Sequence, residues 1–131
     1  MRLAALMVVL ASAVANPAAA QGKPPCDAQP PGYDNHVVKC ALNATGTPKR
    51  YRFRATFSGS HDDTTASMMT TLDGVPLACE KGSKTELMGE DGEVSLDCRF
   101  AIEGQAGARR LLSVTLSWRH AQYKDFELQS D

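Results

Sequence analysis

After His36, polar and apolar residues alternate in steps of two along most of the chain. In HVVKCAL, Val38, Cys40 and Leu42 fall on one side and Val37, Lys39 and Ala41 on the other. In RYRFRATF, Tyr51, Phe53 and Phe57 alternate with Arg50, Arg52 and Arg54. Leu112, Val114, Leu116 and Trp118 alternate in the same way with Ser113, Thr115 and Ser117. This period is that of a half-buried strand, whose successive side chains point to opposite faces. It predicts that the aromatic residues of RYRFRATF face a core and that its arginines face water.

Two dipeptides predict hairpins. Asp73-Gly74 lies within TTASMMTTLDGVPLACE, and Asp-Gly is a preferred two-residue turn because both positions take positive φ. Counting outward from it pairs Leu72 with Val75, Thr70 with Leu77 and Met68 with Cys79. Pro76 lacks an amide for a further neighbour, which predicts a sheet edge there. Asp91-Gly92 predicts a second hairpin, with Leu87 against Leu96 and Gly89 against Val94. The end, HAQYKDFEL, breaks the alternation and reads as a turn followed by a short strand ending at Leu128.

Seven or eight short strands with turn signals between them predict an all-β fold. A small antiparallel β-sandwich is expected, with a small β-barrel as the alternative. No long helical pattern and no internal repeat interrupts this reading. The order of Cys79, Cys98 and Trp118 departs from the cysteine, tryptophan, cysteine order of immunoglobulin domains.

The first residues change where the molecule is expected to be. Arg2, the apolar run from Leu3 to Ala15 and the small residues Ala18, Ala19 and Ala20 follow the order of a secretory signal peptide. Residues 1–20 are therefore expected to be a leader cut before Gln21, and no later stretch is apolar enough to span a bilayer. The alanine-rich style points to the bacterial periplasm. Residues 21–32, QGKPPCDAQPPG, are expected to form an extended proline-rich arm, and residues 33–131 a single all-β domain.

Four cysteines in an exported chain read as two disulfides. The short loops favour Cys26–Cys40 and Cys79–Cys98, and both Cys79 and Cys98 fall on the apolar side of their strands. Their spacing matches no zinc pattern.

Charge then limits the chemistry. The chain has 14 Lys and Arg against 15 Asp and Glu, and the expected leader carries only Arg2 away. Such a balance gives no global field for nucleic acid, so charge-driven binding needs a local patch. Arg50, Arg52 and Arg54 are that patch, standing about 7 Å apart on one strand face. A guanidinium row suits carboxylates, phosphates or sulfates. Acidic cross-strand neighbours would quench it.

His61, Asp62 and Asp63 are weak metal-ligand candidates, which His36 and His120 could join only through the fold. Met68 points inward by strand parity and reads as core rather than as a copper ligand. Neither G-x-S-x-G nor H-E-x-x-H occurs, so no catalytic residue is assigned and no enzyme or cofactor is expected. The expected function is binding of another envelope or extracellular protein, in the manner of an inhibitor or immunity protein, through a strand edge or the arginine face. The alternatives are a module for an anionic envelope polymer or small ligand, and periplasmic metal handling.

Overall fold

The computed structural model describes residues 25–59, 63–79, 85–88 and 92–130. The leader and the first part of the proline-rich arm lie outside the described residues, as do His61, Asp62 and Asp91. Among the described residues every regular element is a strand. They are β1 (Cys26–Ala28), β2 (Asn35–Asn43), β3 (Lys49–Gly59), β4 (Thr64–Leu72), β5 (Val75–Pro76), β6 (Thr85–Met88), β7 (Glu93–Ile102), β8 (Arg109–Arg119) and β9 (Ala121–Ser130).

Two antiparallel sheets hold them. Sheet A runs β1-β2-β8-β4-β5, with β6 also pairing with β4, and sheet B runs β7-β3-β9. The two sheets pack with their edges open, so the sandwich is the architecture and the barrel alternative is not adopted. The alternation seen in the sequence decides what lies between them. Phe53, Phe57, Leu96 and Phe100 of sheet B meet Val38, Met68, Val114 and Leu116 of sheet A, and all are buried.

The first hairpin forms as expected. Asp73 and Gly74 both take positive φ, at 51° and 80°. Leu72 pairs with Val75, and the Leu77 amide donates to the Thr70 carbonyl at 2.9 Å. Asp73 also reaches β8, where its carboxylate accepts from the Leu111 amide at 2.8 Å and from Arg110 Nε at 2.5 Å. These two donors hold the Asp73 carboxyl below the usual carboxylate range. Pro76 lies at the end of the sheet, where its missing amide leaves no bond unmade.

Met68 does not pair with Cys79. β5 stops at Pro76, and β6 takes the rest of β4, with Thr85 opposite Ser67. Cys79 leaves the ladder to bond Cys98. Both expected disulfides are present, Cys26–Cys40 and Cys79–Cys98. The first bridges directly paired residues of β1 and β2, so the proline-rich arm contributes an edge strand to sheet A.

The second hairpin is corrected. Leu87 pairs with Thr65 on β4, and Leu96 pairs with Ala55 on β3, so β6 and β7 belong to different sheets. Val94, Leu96, Cys98, Phe100 and Ile102 need an apolar row of matching length. β6 is only four residues long, whereas β3 sets Phe57, Ala55, Phe53 and Tyr51 opposite Val94, Leu96, Cys98 and Phe100 in unbroken register. The C-terminal segment is also corrected, because β9 is a full strand and not a short one. Phe57 pairs with Tyr123 but Thr56 with Asp125, so Lys124 is an extra residue that shifts the register.

Two disulfides are consistent with a secreted or extracellular protein. No described helix is long and apolar enough to cross a membrane.

Candidate functional site

β3 is the central strand of sheet B, and it places its arginines on the outer face. Phe53 and Phe57 are wholly buried on the inner face, Arg50 is exposed, and Arg52 and Arg54 are half-buried. The ladder then decides what each arginine meets. Arg54 stands opposite Asp97 on β7 and Glu127 on β9. Arg54 Nε lies 3.8 Å from Asp97 Oδ1, and Arg52 Nε lies 3.6 Å from the same oxygen. Both contacts are longer than a hydrogen bond, so they shape the field more than the stability.

Arg52 has a different cross-strand partner. Arg99 stands directly opposite it on β7, with Gln129 on the other side. Like charges across a ladder repel. Arg50, Arg52 and Arg99 thus put three positive charges at one end of the face, with Asp97 as the acid beside Arg52. Glu93 and Asp125 lie toward the opposite end, beyond the central Arg54, Asp97 and Glu127. Arg99 was legible in the sequence as the outward residue between Cys98 and Phe100, but only the pairing with β3 brings it to the arginine row.

The histidines separate. His36 is buried, and its Nε2 donates to the Gln29 carbonyl at 2.8 Å. Its Nδ1 is shielded from solvent with no hydrogen-bond partner. Burial lowers the pKa of this ring, outweighing the Gln29 bond that raises it. The unfolded chain takes up a proton near pH 6.5, whereas the folded ring resists it to lower pH. Stability is therefore expected to fall as pH drops through about 6.5, because the unfolded state then binds more protons. Urea denaturation of wild type and His36→Gln at pH 7.5 and 5 checks this. The wild type should lose more stability than the variant, and equal losses would assign the pH response elsewhere.

His120 sits apart, as the single residue between β8 of sheet A and β9 of sheet B. It takes a φ of 52°, a left-handed conformation in which histidine is one of the better tolerated side chains. Thr64, fully buried, donates its hydroxyl to the His120 carbonyl at 2.6 Å and fastens the corner. His120 Nε2 lies 3.4 Å from Asp63 Oδ2. The fold thus joins Asp63 to His120 and leaves His36 elsewhere. His61 and Asp62 lie outside the described residues, among which no group of three or more His, Cys, Asp or Glu could hold a metal. Met68 is buried in the core.

This corner is one wall of a cleft of about 630 Å³. The other wall is the turn at residues 31–34, joined to the corner by a 3.0 Å bond from the Trp118 amide to the Asp34 carbonyl. The rings of Trp118 and Tyr123 stack with centroids 5.6 Å apart and planes 20° apart. Phe57 backs both, at 5.7 and 5.8 Å. Burial and the nearby Asp125 raise the Tyr123 hydroxyl pKa, which keeps it protonated. Tyr33, on the cleft's other wall, is 99% exposed. The sequence carried one sign of it, an aromatic residue in a Pro-Pro-Gly-Tyr-Asp turn outside any alternating strand.

No family model, no curated protein and no solved structure matches this chain.

Proposed function

We propose that the chain is a binding protein of the bacterial periplasm that engages another envelope or extracellular protein through the outer face of sheet B. It acts by binding rather than by chemistry. The observation that carries this reading is the Arg52–Arg99 cross-strand pair, with Arg50 beside it. An incoming carboxylate relieves the repulsion between these guanidiniums and is well matched to their forked geometry. Glu93 and Asp125, toward the far end of the same face, ask for a basic segment, so a partner with the opposite split docks in one orientation. Asp97, 3.6 Å from Arg52 and 3.8 Å from Arg54, and Glu127, opposite Arg54, interrupt the positive row, which favours a protein over an anionic polymer needing a continuous track.

The test uses oxidised protein as bait against an envelope extract of its host, followed by titration of the purified partner. An Arg50→Gln/Arg52→Gln/Arg99→Gln variant should weaken the complex by about tenfold or more, mainly through slower association at low salt. Arg54→Gln should retain it. Equal retention by all three baits, or no stoichiometric partner for the wild type, would overturn the reading.

A further inference from the structure

We propose that the cleft between the turn at residues 31–34 and the β8–β9 corner is a binding site for a neutral pyranose oligosaccharide. This site is distinct from the sheet B face. Its volume, about 630 Å³, falls in the roughly 300–1,000 Å³ of small-molecule sites.

The walls argue for a ligand with flat apolar faces. Trp118 is buried at 8% exposure beneath this wall, stacked on the partly exposed Tyr123 and held by Phe57, so the wall is set before any ligand arrives. His36 adds an edge-on contact to Tyr123 at 4.8 Å. Tyr33 presents a whole ring to solvent across the cleft. A pyranose ring has such a face, where its axial C–H groups gather, and a hydroxyl-bearing rim around it.

The polar groups argue for neutrality. Asp34 supplies an acceptor, Arg119 donors, and Gln122 both. Sugar hydroxyls donate and accept at once, so a mixed set satisfies them. Asp34 opposes an anion and Arg119 opposes a cation. A wholly apolar ligand would strip water from both without replacing its hydrogen bonds, which costs free energy. The corner that carries Arg119 is also rigid, fastened through the Thr64 hydroxyl and the Trp118 amide. A rigid site loses little on binding.

Trp118 is the only tryptophan in the chain and borders this cleft, so its fluorescence reports on this wall. Oxidised protein is titrated with maltotetraose, cellotetraose and chitotetraose, and screened on a printed array of neutral and acidic glycans. At least one neutral glycan should shift the Trp118 emission saturably, with little dependence on salt. Tyr33→Ala and Arg119→Gln, both at exposed positions, should each weaken that glycan by about tenfold while leaving the thermal midpoint unchanged. The Arg50→Gln/Arg52→Gln/Arg99→Gln variant should bind it as the wild type does, which separates this site from the sheet B face. The proposal is overturned if no neutral glycan binds, or if binding is indifferent to both cleft variants. Capture of acidic glycans alone, lost in salt, overturns it equally.

Discussion

Phe53→Ala should cost about 3–5 kcal/mol of unfolding free energy, the range for deleting a buried phenylalanine ring. The ring is wholly buried at the centre of β3, and it stacks on Phe126 with centroids 5.6 Å apart and planes 8° apart. Its neighbours across the ladder are Cys98 and Leu128. Cys98 is pinned by its disulfide, so this side of the cavity has little freedom to collapse. Small domains have only about 5–15 kcal/mol to lose, so the midpoint should drop by more than about 10 °C. Urea denaturation of the oxidised variant measures it. A loss under about 1 kcal/mol would mean that the aromatic side of β3 is not the core side, and the placing of the arginines on the outer face would fall with it.

Removing the second disulfide should have the next largest effect. Cys79 and Cys98 are 19 positions apart, and closing a loop of that length constrains the unfolded chain by about 3 kcal/mol. The bond also ties the segment after β5 of sheet A to β7 of sheet B. A Cys79→Ala/Cys98→Ala variant tests the bond without leaving thiols to re-pair, and Thr70, near both sulfurs, still has the Leu77 carbonyl as acceptor at 3.3 Å. Chemical denaturation should show a loss of about 3 kcal/mol relative to the oxidised wild type. A loss below about 1 kcal/mol, or a thiol label on either residue in the folded wild type, would contradict the pairing.

Strand facing was legible from local pattern. Val38, Cys40 and Leu42 are inward, as are Phe53 and Phe57, because alternation is a property of each strand's own pleat. The Asp73-Gly74 turn was legible for the same reason, since two residues set the φ values and the register follows. The disulfides were legible because loop length and strand parity both favoured the same pairs. Asp91-Gly92 carried the same turn signal and still misdirected, because ten residues of β7 gain more from β3 than from a four-residue β6. Lys124 hid β9 by placing Tyr123 and Phe126 three residues apart on one inner face, where a regular strand would show them two or four apart.

The candidate sites follow the same division. The outward row of Arg50, Arg52 and Arg54 is written in one stretch of chain. That Arg54 meets two acids while Arg52 meets Arg99 depends on β7 and β9, which lie tens of residues away. The cleft depends further on a turn near residue 33 meeting a corner near residue 120. Short-range alternation is imposed by backbone geometry and survives in the sequence. Which strands pair, and which side chains then share a cleft, is chosen by matching apolar faces and strand lengths across the whole chain, and no local stretch contains that comparison.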